Sequence, residues 1–249
     1  MKPEIIVVTA AYGTQKVAEL GGQAALLPLI KMAGADGVEI RRELFNENEL
    51  CLLHPLGNAI SQHQLSASYS VPEALWLDDG ALNPRLAQFL QEAEQIGAKR
   101  LKLALGHYVD LADQQQLLAV LQTSKVTLVV ENDQTPDSKL TPMLRFFHQA
   151  CDAALPLDMT FDMGNWLWTG EDGLQAAAQL SRYVSYIHVK TAIPHGDTFR
   201  AIALDQADDS WRTLLNALPA DAPRGIEFPL EGADLLAVTR HYVDLLRAA

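Results

Sequence analysis

The sequence predicts a single (β/α)8 barrel, and three observations carry that prediction. Short apolar, β-branched runs recur eight times. Their starts are spaced by 32, 28, 35, 26, 31, 27 and 41 residues, and no linker-like or low-complexity stretch interrupts the series. A period of roughly 30 residues is what a strand, a crossover helix and two loops require. The same intervals permit a doubly wound open sheet, but no GxGxxG or GxxxxGK(S/T) loop is present to support a nucleotide site. One domain over residues 1–249 is expected.

The runs, in order, are residues 5–9 (IIVVT), 37–40 (GVEI), 65–69 (LSASY), 100–105 (RLKLAL), 126–131 (VTLVVE), 157–162 (LDMTFD), 184–189 (VSYIHV) and 225–228 (GIEF). The third is the weakest. Between them lie Ala/Leu/Gln-rich segments with helical character. Residues 82–96 (LNPRLAQFLQEAEQI) are one such segment, with Asn83-Pro84 as a start signal and Gly97 as a stop. The longest interval, before the eighth run, contains Pro194-His195-Gly196-Asp197 and the acidic residues 205–209 (DQADD). It is expected to form an extended loop over the top of the barrel.

Composition narrows the function. The chain has 249 residues, with 19 Lys+Arg against 31 Asp+Glu and a net charge of −12. That balance opposes a nucleic-acid or anionic-membrane role, because such partners are bound through clustered Lys and Arg. No run of about 18 apolar residues predicts a membrane span. No signal peptide is read at Met-Lys-Pro-Glu. Cys51 and Cys151 have no CxxC spacing, and a reduced, cytoplasmic setting is expected.

In a barrel of this kind the active site lies at the C-terminal ends of the strands. The fifth run ends in Glu131 and the sixth in Asp162, and the seventh and eighth carry His188 and Glu227 next to their last residues. Side chains alternate along a strand, so all four can point into the barrel mouth together. Carboxylates at strand ends also cap helices or pair with lysines, so it is the joint pattern that points to a metal. Two Glu, one Asp and one His form an oxygen-rich set suited to one divalent ion. Mn²⁺, Mg²⁺ or Co²⁺ fit best, and Zn²⁺ or Fe²⁺ are tolerated.

The endings VVENDQT, FDMGN, YIHVK and GIEFP, together with GADGVEIR in the second unit, resemble those of the sugar (phosphate) isomerase/epimerase superfamily. These are the xylose-isomerase-like TIM barrels, and the resemblance extends over nearly the whole chain. It implies a small sugar, keto-sugar or sugar phosphate as substrate. It also implies that Glu131, Asp162, His188 and Glu227 ligate the ion, with Glu131 and Glu227 as the acid/base pair. A base on the carbon and an electrophile on the oxygen are what moving a proton next to a carbonyl requires. A divalent ion bridging the carbonyl and adjacent hydroxyl stabilises the cis-enediolate. Two carboxylates on opposite faces then give epimerisation, and return of the proton to the neighbouring carbon gives aldose–ketose isomerisation. Alternatives on this scaffold are an inosose-dehydratase-type lyase and a noncatalytic sugar-binding barrel. The zinc-dependent AP endonuclease relatives need more His ligands and a basic surface. A homo-oligomer, dimer or tetramer, is compatible with the resemblance.

Further substrate-binding candidates are Glu39, Lys190, Arg200, His107 and Asn165. By resemblance Glu39 would hydrogen-bond a substrate hydroxyl, and an ordinary Glu39–Arg41 pair is the alternative. Lys190, in HVK, would contact a substrate oxygen or phosphate. FRAIAL is similar to the FR-x-VPFG segment of the pentulose-phosphate 3-epimerases, which singles out Arg200. The acidic residues 205–209 then replace a glycine-rich turn and oppose a phosphate clamp. His107, in ALGHY, lines the pocket or is a satisfied loop histidine. Asn132 and Asn165 are placed to orient ligands or substrate. Trp166 and Trp168 offer an apolar wall for a sugar face or are packing residues. The D-tagatose 3-epimerase-like enzymes carry a His soon after the sixth-strand Asp, where this chain has MGN.

Overall fold

Each of the eight runs forms a strand, and the eight close into a parallel barrel. The computed structural model describes residues 2–46, 48–110 and 113–249. Seven barrel strands come first: β1 (Ile5–Val8), β2 (Gly37–Arg41), β3 (Ser66–Trp76), β4 (Ala98–Gly106), β5 (Thr127–Glu131), β6 (Leu157–Asp162) and β7 (Val184–Val189). The hairpin β8 (Thr191–His195) and β9 (Thr198–Ile202) follows, and β10 (Arg224–Ile226) completes the barrel. The order around the barrel is β1-β10-β7-β6-β5-β4-β3-β2. The α-helices are α1 (Thr14–Glu19), α2 (Leu27–Met32), α3 (Leu53–Gln62), α4 (Leu86–Ile96), α5 (Gln114–Leu121), α6 (Leu140–Asp152), α7 (Trp166–Thr169), α8 (Gly173–Leu180), α9 (Ser210–Asn216) and α10 (Leu235–Ala248). None of them is long and apolar enough to cross a membrane.

Alternation along the strands separates two environments. Leu101, Leu103 and Leu105 on β4, Leu128 and Val130 on β5, Met159 and Phe161 on β6, and Ile187 and Val189 on β7 belong to the apolar core. They pack against the helices. The intervening residues point inward and form a polar column. Register places Glu39 beside Ser68, Ser68 beside Arg100, Lys102 beside Val129, Glu131 beside Thr160 and Asp162 beside His188. The barrel interior is therefore an ion network from its middle upward, and β5, β6 and β7 deliver their last inward residues to the mouth.

Helix α4 shows how the outer layer holds. Leu86, Phe89, Leu90, Ala93 and Ile96 are buried at helical spacing, each large side chain contributing about 1.5–3 kcal/mol. The helix stops at Gly97, whose φ of 73° is left-handed. It starts at Leu86 rather than at Leu82, because Leu82 bridges back to Trp76 and the Asn83 carboxamide accepts the Arg85 N–H. Glu92, on the inner side, accepts hydrogen bonds from Arg42 at 2.8 and 3.1 Å and from the Tyr69 hydroxyl at 2.7 Å. Burial alone would raise the Glu92 carboxyl, but Arg42 and Tyr69 outweigh it and hold the group below the usual carboxylate range. A carboxyl depressed in this way stabilises the fold above its unfolded pKa, and the contribution disappears as pH falls through the folded value. Glu92→Gln should therefore cost about 1–2 kcal/mol at neutral pH, between an exposed pair and a buried one. The gap to the parent should narrow towards about pH 3; urea unfolding at both pH values measures it.

The interval before β10 is not the extended loop that its composition predicts. Residues 191–202 form the hairpin β8–β9, and α9 fills the next stretch. The turn is two residues long, Gly196-Asp197, with φ +60° at Gly196. This is the Gly-X chemistry of a tight hairpin. β3 is also longer than its run suggests, reaching Trp76 through register irregularities against β4.

Candidate metal centre

Glu131 ends β5, Asp162 ends β6, His188 is the last inward residue of β7, and Glu227 follows β10 directly. One ligand atom from each lies within 4.8 Å of all the others.

Each donor is held from behind. The Asp162 Oδ1 accepts the backbone N–H groups of Gly164 and Asn165, both at 2.8 Å, which leaves Oδ2 to the centre. Asn132 pairs reciprocally with the Asp162 backbone at 2.9 Å, and the Asn165 side chain donates to the Asn132 carbonyl at 2.9 Å. These two asparagines stitch the ends of β5 and β6 together. His188 is fully buried, with Nε2 2.8 Å from the Glu39 Oε2. Glu39 also accepts the Tyr186 hydroxyl at 2.9 Å. Anchoring Nε2 in this way turns Nδ1 into the cluster, 3.0 Å from the Glu227 Oε2 and 2.8 Å from the Glu131 Oε1. A carboxylate behind a histidine is the usual support of a metal-ligating imidazole.

Cations close the ring. Lys102 donates to the Glu131 Oε2. Arg41 donates to the Glu227 Oε1 at 2.9 Å. Lys190 lies 3.3 Å from the Asp162 Oδ2, 3.3 Å from the Glu227 Oε2 and 3.2 Å from the Asn165 Oδ1. Burial alone would raise both glutamates; Lys102 and His188 hold Glu131 below the usual range, and Lys190 and His188 hold Glu227 well below it. Burial alone would lower His188, but Glu39, Glu227 and Glu131 raise it well above an ordinary imidazole. Asp162 is pushed up to about 7 by burial and by the Glu227 and Glu131 carboxylates, against the pull of Lys190. The buried Glu131 Oε1 faces the His188 Nδ1 at 2.8 Å without a well-aligned hydrogen bond. A carboxylate oxygen turned in this way to the centre of a two-Glu, one-Asp, one-His set fits a divalent cation.

A cavity of about 350 Å³ opens over the cluster, lined among others by Arg41, Lys102, Glu131, Asn165, Lys190 and Glu227. It lies within the size range of small-molecule sites. A larger one, about 750 Å³, sits beside the β9 strand and α10 and contains none of the four donors. Chemistry, not size, identifies the site.

The remaining candidates separate cleanly. Lys190 and Asn165 line the cavity over the cluster. Glu39 does not; it is fully buried behind His188, with its carboxylate on the ring Nε2. The Glu39–Arg41 pair exists, at 3.6 Å, but it is interior rather than on the surface. His107 turns away to Asp137, at 3.1 Å, with half of its side chain exposed. Arg200 is carried outward on β9 to the larger cavity, beside Asp205 and His241. Asp205 itself accepts the Tyr242 hydroxyl at 2.6 Å and so faces α10, whereas Asp208 accepts the Ser210 N–H at 2.9 Å and Asp209 pairs with Arg212 at 3.3 Å, both at the start of α9. Trp166 is buried against Phe161, and Trp168 packs on Phe199 with the Lys190 ammonium 5.9 Å from its ring. Lys102 escaped sequence reasoning. Its signal is a lysine between two leucines in a strand, at the parity that faces inward.

No protein-family model and no curated protein matches the sequence. Solved structures do match the fold. A xylose isomerase domain containing protein from Salmonella typhimurium LT2 superposes with a TM-score of 0.66 at 12% identity, covering 100% of this chain and 98% of that one. D-allulose 3-epimerase from Methylomonas sp. gives 0.65 at 12%, covering 99% and 98%. A probable 3-DHS dehydratase involved in petrobactin synthesis from Bacillus anthracis gives 0.62 at 11%, covering 98% of both chains. The chain thus has the TIM-barrel fold of these structures.

Proposed function

We propose that the protein is a divalent-metal-dependent isomerase or epimerase of a small sugar, keto-sugar or sugar phosphate. In this reading it acts in the cytoplasm as one domain, residues 1–249, and moves a proton next to a carbonyl through a cis-enediolate. The observation that carries this reading is the convergence of donor atoms from Glu131, Asp162, His188 and Glu227 within 4.8 Å at the barrel mouth. A divalent ion held there would supply an electrophile for the carbonyl and neighbouring hydroxyl oxygens.

The chain's own residues do the rest. Glu131 and Glu227 reach the centre from β5 and β10, strands separated by β6 and β7. Their surrounding cations keep them ionised, so each can accept a proton without first losing one. One takes the proton from the substrate carbon; the other first collects a proton from solvent and then delivers it, so the pair ends with its protonation states exchanged. Delivery to the opposite face of the same carbon is epimerisation, and delivery to the neighbouring carbon is isomerisation. Lys190 and Asn165, on the cavity wall, hold substrate oxygens. Glu39 and Tyr186 keep the His188 ring oriented, and Asn132 holds the Asp162 backbone.

The likeness to D-allulose 3-epimerase supports an epimerase. The likeness to a probable 3-DHS dehydratase favours a second reading, a lyase that begins with the same proton abstraction and then expels a β-hydroxyl as water. The test is incubation of Mn²⁺-loaded protein in D₂O with a panel of ketoses and keto-acids. Isomerisation predicts deuterium at the carbon next to the carbonyl without new ultraviolet absorbance, whereas dehydration predicts an absorbing enone. Sugar binding without any exchange would overturn both and leave a noncatalytic barrel.

A further inference from the structure

Lys102 occupies an inward position on β4, its side chain only 5% exposed, with its ammonium on the outer oxygen of Glu131. That contact leaves Oε1 as the oxygen of Glu131 that faces His188 Nδ1 and the cluster. Arg41 makes the equivalent contact to the Glu227 Oε1 at 2.9 Å, but its guanidinium is shared with Glu43 at 2.8 Å and Glu39 at 3.6 Å. The Lys102 charge is directed at the ligand carboxylate. Its backbone is fixed by parallel pairing of β4 with β5, Lys102 opposite Val129 and two residues short of the Ala104–Glu131 pair. The lysine therefore reaches up along the barrel wall to the carboxylate from below.

We propose that Lys102 sets the strength of the metal site. Its ammonium confines Glu131 to a single ligand oxygen and keeps a fixed positive charge beside the ion. The four donors consequently hold a divalent cation more weakly than they would without it. The inference rests on the metal-dependent reading above and adds a residue to it. Two physical effects act in the same direction. A dication and an ammonium about 5 Å apart repel by enough to weaken binding roughly tenfold, even with water-like screening. A carboxylate already neutralised by a lysine is also a poorer donor. A glutamate free to bind through both oxygens would, in addition, take a coordination position that substrate oxygens need.

Calorimetric titration of the metal-stripped protein with MnCl₂ tests this without any substrate. Lys102→Met should bind Mn²⁺ about tenfold or more tightly than the parent. Lys102→Arg, which keeps the charge, should stay within about threefold of the parent on the same reasoning. Lys102→Gln removes the charge but keeps a donor, and should bind as tightly as Lys102→Met. It also serves as the readout if the methionine variant does not fold. A parent that binds Mn²⁺ with charge-free variants that bind no more tightly overturns the proposal and leaves the metal site standing. Parent and variants that all fail to bind Mn²⁺, Mg²⁺, Co²⁺, Zn²⁺ and Fe²⁺ overturn the metal site and the proposal together. Variants that bind where the parent does not would support the effect of the Lys102 charge and overturn the metal-dependent reading of the parent.

Discussion

Glu131→Gln and Glu227→Gln should each abolish turnover while leaving the barrel folded. The substitution keeps size and removes the charge, so the variant loses both a proton acceptor and a strong ligand. Acid/base loss alone accounts for a fall of roughly 10²–10⁴, and ligand loss deepens it. In Glu227→Gln the fold should survive because the cations left behind keep other partners. Arg41 retains Glu43 at 2.8 Å and Glu39 at 3.6 Å, and Lys190 retains Asp162 at 3.3 Å. Glu131→Gln strips Lys102 of its carboxylate and should be the less stable of the two. Circular dichroism and thermal melting beside the deuterium-exchange assay separate the effects. Full activity in either variant would remove that glutamate from the acid/base role.

The second large effect is expected at Gly225→Ala. Gly225 lies on β10 opposite His188 and Ile6, facing inward. A Cβ there would stand 2.6 Å from the Tyr186 Oη, 2.9 Å from the His188 Cδ2 and 3.1 Å from the Tyr186 Cζ. Neither ring can yield freely. Tyr186 is fully buried with its hydroxyl on Glu39, and His188 is pinned by the same carboxylate. One methyl group should therefore cost about 1–3 kcal/mol in overpacking. It should also swing the His188 Nδ1 off the cluster and weaken metal binding about 10–100-fold, the usual result of disturbing a ligand's support. Chemical denaturation and Mn²⁺ titration of the variant measure the two losses. Parent-like stability and affinity together would mean that the Tyr186–His188 packing does not position the ligand.

The four donors were legible in the sequence because strand parity and strand ends are local properties. Four consecutive runs carry Glu131, Asp162, His188 and Glu227 at or next to their last residues, and the barrel brings successive strand ends to one mouth. What stands behind a ligand is not local. Glu39 is 149 residues from His188, and nothing in either segment distinguishes a carboxylate that faces substrate from one that buttresses a ring. Lys102 was hidden for a similar reason, since its inward parity is visible but its partner is not. The hairpin β8–β9 was missed because neither strand has a buried face to produce an alternating apolar pattern. Ile202 is its one buried residue, and Pro194 and Gly196 read as loop signals. The Gly196-Asp197 pair was the usable clue. Arg200 was singled out by its neighbours in the chain, whereas the hairpin turns it away from the cluster.

The most direct test of the account is the metal content of the purified protein, measured beside the His188→Ala/Glu227→Gln double variant. The account predicts about one divalent ion per chain in the parent, and its loss in a variant that remains folded. Absence of bound metal from the parent under every loading condition would contradict it, and the four strand-end residues would then be an ion-pair network in a binding barrel.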